Sequence, residues 1–473
     1  MIAGPFARQR AGGPDDSASG HDAQSADAAA DVNRSELFDW VEQACAGRIV
    51  RTVQIAGGNR RNSWAIDVAD SKGQVTEAFL RHAPAANAGA EPYTIEREAR
   101  VYRAIAHVPV AAPRIIAENP GLRALLTSRA PGIAEFRHLT DAAVKQTIAR
   151  EFIENLARLH GTDASRISID GGERGTRISD HVRTELATWR AMYVETERPD
   201  PLIDIAFRWL EHNQPDPDGR VVLNHGDAGP GNFLFADGHL TALIDWEFGH
   251  LGDPLDDLAW FSMRCVMEPV PDFAACLTYY EQLARIPIDR ARLLYYRVLV
   301  STRVVVVRHR NVTGEPANAI VSGALNRRLL VEALAAASGI SVEFPPSIDR
   351  PATSRTPLYD HVLEHLKRII DTRGTEGQTI ASAKSSAKVV KFLQASDRYG
   401  DALVAADLEA ISRLLGHMPQ SIETGREAVA RAVGRAQISF ADALTYFAGQ
   451  AARDAQLAAS ASGGIAARHY PPI

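Results

Sequence analysis

The chain has 473 residues, 45% of them hydrophobic and 23% charged, which is an ordinary composition for a globular protein. Its net charge of −6 argues against a general binder of nucleic acid or anionic membranes, and three cysteines without metal-ligand spacing predict no disulfide framework. No apolar run reaches transmembrane length, so we expect a cytoplasmic protein with no nucleic-acid or membrane partner.

The chain begins with a biased segment, residues 1–32, in which Gly, Ala, Ser and Asp predominate. Such a composition buries too little apolar surface to fold, so a disordered tail is predicted. A helix and a strand follow, and a turn containing Gly57, Gly58 and Arg60 leads into a second strand. The backbone N–H groups of such a turn can bind phosphate, although an ordinary hairpin turn has the same pattern.

A third predicted strand, residues 76–81, ends in the cation Arg81. Protein kinases place a cation on the corresponding strand to bind phosphates, and pair it with a glutamate on the next helix. Glu98, in the predicted helix IEREARVYRAI, is the natural partner. After two more strands, the segment containing Ser128 and Ala130 breaks regular structure. In a bilobal kinase this break would be the hinge whose backbone binds adenine.

The most informative stretch is LNHGDAGPGNFLFADGHLTALIDWEFGHLGDPLDD, residues 223–257. His225, Asp227 and Asn232 follow the order H-x-D-x-x-x-x-N, and Asp245 comes one predicted hairpin later. This ordered set predicts a phosphoryl-transfer site, because it is far more specific than an isolated His-x-Asp. Asp227 is the expected catalytic base, which accepts or orients the proton of an attacking hydroxyl.

A predicted hairpin connects the two expected metal ligands. Residues 232–235 and 240–244 are predicted strands that are joined by a tight turn at Asp-Gly. The hairpin would bring the side chains of Asn232 and Asp245 together at its open end. Mg²⁺ takes oxygen ligands, usually one or two from the protein with phosphates and waters completing its shell. We therefore predict Asn232 and Asp245 as Mg²⁺ ligands.

Other polar residues of this stretch allow more than one interpretation. His225 belongs to the candidate catalytic set, but we expect it to hold the loop or the metal-binding aspartate rather than to act in acid–base catalysis. Asp253 and Asp257 either cap the next helix or brace the catalytic loop, whereas capping is favoured for Asp256. Glu247 is either a second carboxylate beside the metal or part of the substrate wall.

The C-terminal part is predicted to be helical and has no catalytic constellation. A polar break at residues 343–356 is predicted to be a linker, and residues 357–473 a helical accessory domain. Within it, separate helices are predicted at 380–395 and 401–415, with Gly416 as a stop. We expect this domain to act in packing, in self-association or in binding a partner.

These motifs resemble those of the aminoglycoside phosphotransferase/choline kinase family, in the bacterial branch related to the kinase domain of acyl-CoA dehydrogenase family members. The matching segments are GGNRRNSWAIDV, EAFLRHAP, EREARVYRAI, VLNHGDAGPGNFLF and ALIDWEFGHLGDPLDDLAW. The resemblance implies an α+β, bilobal protein-kinase-like fold with an added C-terminal helical domain. Its small β-rich N-lobe would span residues 33–130, and its mainly helical C-lobe residues 131–342.

The resemblance also implies a role for each matching residue. Asp227 would be the catalytic base, and Asn232 and Asp245 would bind Mg²⁺. Arg81 would contact the phosphates of ATP, and Glu98 would orient it.

The hinge implied by the resemblance lies at Ser128 to Ala130. One departure concerns the phosphate loop, which usually reads G-G-x-S in the family, whereas this chain has Arg60 in place of the serine. An arginine could clamp phosphate instead.

The implied reaction transfers the γ-phosphate of ATP, with Mg²⁺, to a hydroxyl of a small molecule. The branch favours a hydroxyacyl thioester as acceptor. An aminoglycoside kinase is an alternative, and its polycationic acceptor would need an acidic cleft to which Glu247, Asp253 and Glu268 could contribute. Two other classes stay open, a nucleotide-binding pseudokinase that acts through its C-terminal helices and a metal-dependent phosphohydrolase.

Overall fold

The computed structural model describes residues 34–55, 61–84, 91–169, 177–216, 218–310, 316–372 and 377–473. The predicted tail and the loop residues Gly57, Gly58 and Arg60 lie outside these ranges. The described chain begins with helix α1 (Arg34–Cys45) beside a five-stranded antiparallel sheet of order β1-β2-β3-β5-β4. Its strands are β1 (Arg48–Ile55), β2 (Asn62–Ala69), β3 (Val75–His82), β4 (Ile115–Asn119) and β5 (Ala124–Ser128).

The two faces of this sheet have different partners, because successive side chains of a strand point to opposite faces. On one face, Trp64 of β2 and Leu80 of β3 are buried together with Leu37 of α1. Arg81 therefore points to the other face. There its guanidinium contacts Glu98 of helix α2 (Ile95–Ile105), as described below.

The following part is mainly helical and carries the catalytic stretch on two small antiparallel sheets. Strand β6 (Val222–Asn224) pairs with β9 (His250–Gly252), and β7 (Phe233–Ala236) pairs with β8 (His239–Leu243). The predicted hairpin thus forms, with its turn at the predicted position. The helices are α3 (Ala142–His160), α4 (Ile178–Val194), α5 (Pro201–His212), α6 (Pro254–Met267), α7 (Phe273–Ala284), α8 (Arg290–Arg310) and α9 (Pro316–Ser338).

The C-terminal region adds four further described helices. The prediction of two helices at 380–395 and 401–415 is wrong, because one helix runs without a break through both. Gly400 lies inside this helix, and a single internal glycine costs a helix only about 1 kcal/mol of stability. Packing of the long helix against the last of these four helices outweighs that cost. The helices are α10 (Thr356–Asp371), α11 (Gly377–Leu415), α12 (Ile422–Gly434), which was not predicted, and α13 (Phe440–Ser462).

These extra helices share a hydrophobic core with the catalytic part. Ile411, Val429 and Leu444 are buried in the same apolar cluster as Phe261 of α6 and Leu329 of α9. A small β-rich part, a mainly helical part and added C-terminal helices confirm the predicted α+β architecture. Within the described ranges, no helix is both long and apolar enough to cross a membrane.

Candidate active site

Glycines shape the loop between β6 and β7 that carries the candidate base. Gly226, Gly229 and Gly231 have φ angles of 82°, 137° and 92°, in the region that L side chains rarely adopt. At Gly226 an added Cβ would lie 2.1 Å from the carbonyl oxygen of Phe248. The loop therefore turns back on both sides of Asp227 and packs tightly against the segment that follows β8.

His225 supports this loop from inside. Its Nε2 lies 2.9 Å from the carbonyl oxygen of Ile244, and its Nδ1 accepts the backbone N–H of Asp227 at 3.3 Å. A ring protonated at Nε2 satisfies both contacts, and it also packs on Trp246 with a centroid distance of 4.4 Å. Because Ile244 precedes Asp245, one imidazole braces the backbone at Asp227 and beside Asp245 together. These contacts describe a supporting role.

Asp257 braces the loop from α6. Its two carboxylate oxygens accept the backbone N–H groups of His225 at 2.7 Å and of Gly226 at 2.8 Å. His160, which is fully buried, lies 3.1 Å from the same carboxylate and 2.6 Å from the hydroxyl of Tyr280. Of the two interpretations open for Asp257, loop bracing is therefore the one that its contacts support.

The other two aspartates of this segment have structural partners. Asp253 caps α6 through the N–H of Leu255 at 2.9 Å and pairs with Arg292. The N-cap residue of α6 is Asp253 rather than Asp256, whose carboxylate instead accepts Nη1 of the buried Arg303 at 2.8 and 2.9 Å. Burial alone would raise the pKa of Asp256, but Arg303 lowers it below its ordinary value.

The candidate base is held by an arginine that the sequence analysis did not find. Asp227 is 7% exposed, and its Oδ1 accepts Nε of Arg264 at 2.7 Å while its Oδ2 contacts Nη2 of the same guanidinium. Burial alone would lower the pKa of Arg264, but the Asp227 carboxylate raises it, so the guanidinium stays charged. Asp227 and Arg264 form a bidentate ion pair that joins the loop to the last turn of α6.

The hairpin brings the two predicted metal ligands together. The backbone N–H of Ile244 donates to the carbonyl oxygen of Asn232 at 2.9 Å, which places Asp245 next to Asn232 across the ladder. The amide nitrogen of Asn232 donates to the carbonyl oxygen of Asp227 at 2.8 Å. Asp245 itself has a φ of 68°, in the left-handed region that aspartate tolerates better than most residues.

Arg81 connects the N-terminal sheet to this hairpin. Its Nη1 donates to Glu98 at 2.5 Å, and its Nη2 donates to Asp245 at 2.9 Å. The predicted pair of Arg81 and Glu98 therefore forms, and Asp245 joins it. Burial alone would raise the pKa of Asp245, but the Arg81 guanidinium lowers it below its ordinary value.

A second arginine, Arg61, completes this group. It contacts Glu98, donates to the carbonyl oxygen of Tyr93 at 3.0 Å, and lies 3.5 Å from a carboxylate oxygen of Glu247. Arg81 lies 3.7 Å from the same Glu247 oxygen. We call Arg61, Arg81, Glu98, Asp245 and Glu247 the nucleotide-side cluster. Arg61 was missed, although its position directly after the predicted phosphate loop was a usable signal.

A family comparison decides which class of protein carries this site. The model of the phosphotransferase enzyme family (APH) matches residues 51–294, more than half of the 473 residues. The chain belongs to this family. The matched segment contains the nucleotide-side cluster, the catalytic loop and the pair of Asp227 and Arg264.

The phosphotransferase is also similar to parts of longer curated proteins. Acyl-CoA dehydrogenase family member 11 of Pongo abelii is 28% identical over 196 residues, which cover 39% of this chain and 25% of that protein. The Gallus gallus protein of the same name is 33% identical over 111 residues, which cover 23% of this chain and 14% of that protein. The matched part of this chain thus spans a quarter or less of these relatives.

A solved structure supports the fold. It is a candidate aminoglycoside phosphotransferase from Ralstonia eutropha JMP134, with a TM-score of 0.50 and 20% identity. The match covers 64% of this chain and 97% of that one. The bilobal kinase-like fold that the sequence predicted is thereby confirmed.

The predicted hinge lies where the chain of the phosphotransferase leaves the N-terminal sheet. Ser128, the last residue of β5, exchanges backbone and side-chain bonds with Arg114 at 2.7 and 2.9 Å. Ala130 follows it and precedes the bridge of Ile133 to Phe235, which belongs to the hairpin strand β7. Ala130 therefore lies on the connection between the two lobes, and adenine binding there stays a prediction.

The donor set suits a hard divalent cation that a triphosphate also binds. Because the amide nitrogen of Asn232 is used by the loop, its oxygen is the atom that could bind a metal. The ionised carboxylate of Asp245 would be the second protein ligand, and phosphates and waters complete such shells. In the described part of the chain, no group of three or more His, Cys, Asp or Glu side chains could hold a metal.

Proposed function

We propose that this phosphotransferase moves the γ-phosphate of ATP to a hydroxyl group of a small molecule, with Mg²⁺ as cofactor. The observation that carries this proposal is the continuous chain of contacts from Glu98 through Arg81 to Asp245, and from there to the loop of Asn232 and Asp227. It joins, in one site, the residue types that phosphoryl transfer needs for phosphate, metal and acceptor.

Each residue of this chain has a distinct proposed task. Arg81, oriented by Glu98, would bind phosphate oxygens of the nucleotide. Asn232 and Asp245 would hold Mg²⁺, which would neutralise charge on the phosphates when it is bound. Asp227 would take the proton of the acceptor hydroxyl as its oxygen bonds to phosphorus and the bond to ADP breaks. Gly57, Gly58 and Arg60 stay the predicted phosphate loop, and Ser128 and Ala130 the predicted adenine hinge.

For the acceptor we propose a hydroxyacyl thioester. The relatives that share this segment are named as acyl-CoA dehydrogenase family members, and acyl-CoA is a thioester. A polycationic aminoglycoside would instead need free carboxylates around the base.

The carboxylates that could serve an aminoglycoside are engaged elsewhere. Glu247 lies against two arginines of the nucleotide-side cluster, and Asp253 pairs with Arg292. Glu268 accepts the backbone N–H of Arg137 at 2.8 Å. These contacts support the thioester over the antibiotic as acceptor class.

The C-terminal helices are proposed to contribute structure and contacts rather than chemistry. We propose the predicted division into lobes at 33–130 and 131–342, a linker at 343–356 and an accessory domain at 357–473. On helix α10 in that domain, Leu358 is 68% exposed and Val362 44% exposed. These side chains suit the proposed self-association or partner binding. A pseudokinase that acts only through this region is the second candidate.

The test is ADP release from ATP and Mg²⁺ across a panel of hydroxyacyl thioesters, amino alcohols, sugars and aminoglycosides, with Asp227→Ala as the control. Stimulation by thioesters, lost in the variant, is the expected result. Stimulation by aminoglycosides alone would overturn the acceptor class. Stabilisation by ATP and Mg²⁺ without any turnover would favour the pseudokinase.

A further inference from the structure

Arg264, which contacts Asp227, has no task in the proposed function. Arg264 stands near the end of α6, 37 residues after Asp227, and grips both carboxylate oxygens. We propose that Arg264 is a positioning residue, which fixes the orientation of the Asp227 carboxylate for proton transfer from the acceptor. This inference rests on the proposed function, in which Asp227 is the base.

The catalytic loop is built to admit this arginine. At Gly229 an added Cβ would lie 2.7 Å from Cβ of Arg264, and at Gly231 it would lie 3.5 Å from Nη1. The glycine at position 229 therefore leaves room for the stem of Arg264. The motif G-P-G, which the sequence analysis left without a role, thus serves the contact between loop and helix.

The two bonds from Arg264 leave the Asp227 carboxylate able to accept a proton. A carboxylate has about four lone-pair sites, and the two bonds from Arg264 use two of them. The remaining sites of Asp227 can accept the hydroxyl proton. What the grip removes is rotation of the carboxylate, and misplacement of a reacting group by about 1 Å can cost on the order of 10²-fold in rate.

The turn of α6 that bears Arg264 is held from outside by the C-terminal segment. Arg468 donates to the carbonyl oxygen of Val266 at 3.2 Å and also contacts that of Met267. The hydroxyl of Tyr470 lies 3.7 Å from the sulfur of Met263. The guanidinium therefore projects from a fixed helix end, as a positioning role requires.

The experiment uses the full chain with Arg264→Ala, Arg264→Lys and a matched control, Arg190→Ala. Arg190 also pairs with a carboxylate, Glu211, but the pair is solvent-exposed and lies on α4 and α5. ADP release with ATP, Mg²⁺ and the stimulating acceptor from the panel is measured. Arg264→Ala should lower kcat about 10²-fold, with the KM for ATP changed by less than about threefold because nucleotide contacts remain.

Two further readouts separate positioning from a merely structural role. Lysine keeps the charge but cannot grip both oxygens, so Arg264→Lys should also lose most of its turnover. Added guanidinium at millimolar concentration should partly restore Arg264→Ala and leave Arg190→Ala unchanged. If Arg264→Ala does not fold, as judged from its melting temperature, Arg264→Lys carries the test.

The outcomes distinguish this inference from the proposed function. If the wild-type chain and Asp227→Ala release ADP equally with every acceptor, the proposed function fails. If the wild type is active and Arg264→Lys keeps full turnover, or guanidinium restores nothing to a folded Arg264→Ala, only the positioning role is overturned.

Discussion

Both sides of the active site are built from ion pairs between arginines and carboxylates, but they differ in the number of side chains that take part. On the nucleotide side, two arginines meet three carboxylates, and Glu98 is shared by both arginines. On the base side, a single guanidinium meets the single carboxylate of Asp227. The nucleotide-side cluster also joins the two lobes, because Arg81 belongs to β3 and Asp245 follows β8, whereas the base-side pair lies within the C-lobe.

This difference predicts how each side responds to substitution. In the cluster, a residue that loses one contact keeps others, so substitutions that keep the charge should be tolerated. Substitutions that remove a charge should lower stability or weaken nucleotide binding. In the described chain Asp227 pairs with one cation, Arg264, so changes to this pair should appear as a lower rate. The following predictions test that contrast, from the largest effect to the smallest.

Asp227→Ala should have the largest effect, and that effect should fall on turnover rather than on nucleotide binding. Loss of a general base lowers the rate by about 10²- to 10⁴-fold. Stabilisation by ATP and Mg²⁺ should persist, because the proposed partner of Asp227 is the acceptor hydroxyl and not the nucleotide. The measurements are kcat and the nucleotide-induced shift in melting temperature. A variant with an unchanged kcat and a much weaker nucleotide-induced shift would reverse the assignment of the two sides.

Glu98→Gln should have its main effect on stability. Glu98 is fully buried and is shared by Arg61 and Arg81, and breaking a buried ion pair costs about 3–5 kcal/mol. The free energy of unfolding in urea measures this loss. The matched control is Glu211→Gln, which removes the exposed pair with Arg190 and should cost about 0–1 kcal/mol. Equal losses in both variants would contradict the central place of Glu98.

Asp245→Ala should remove the metal response. A ligand at 100 times its Kd stabilises a protein by about 2.7 kcal/mol, and this Mg²⁺-dependent part of the ATP effect should vanish. The measurement is the melting temperature with ATP, with and without Mg²⁺. The wild-type chain is the reference, and an undiminished Mg²⁺ response would remove Asp245 from the ligand set.

Arg61→Lys should have the smallest effect, about 1 kcal/mol in the free energy of unfolding. Lysine keeps the charge beside Glu98, and Arg81 holds the same carboxylate. Compared with Arg264→Lys, in which most turnover should disappear, this variant should keep turnover close to wild type. A loss of turnover in Arg61→Lys as large as in Arg264→Lys would remove the contrast between the two sides.

Local spacing was enough to predict the hairpin and the residues at its ends. Asn232 and Asp245 lie at the same end of the hairpin because the two strands between them pair around an Asp-Gly turn, which the sequence already indicates, whereas the register shift between Leu234 and Phe235 was not predicted. The partnership of Arg81 and Glu98 was predictable only from their order relative to the other motifs. The first prediction depends on backbone geometry within a short stretch of chain, and the second on the order of motifs along it.

The contacts that the sequence analysis missed come from the packing of distant helices. Arg264 and Asp227 are 37 residues apart, and no spacing rule relates a loop to one turn of a later helix. Arg61 was missed because its partners, Glu98 and Glu247, lie on later elements of the chain. The single long helix α11 was missed because one-dimensional patterns do not contain its packing against α13.

The most direct test of the central claim follows the phosphate itself. The wild-type chain and Asp227→Ala are incubated with ATP labelled in its γ-phosphate, Mg²⁺ and the acceptor panel, and the products are separated. The account predicts label in an organic acceptor, in equal amounts to the ADP formed, and none in the variant. Label found only in inorganic phosphate, or equally in both proteins, would contradict a hydroxyl-directed phosphotransferase with Asp227 as its base.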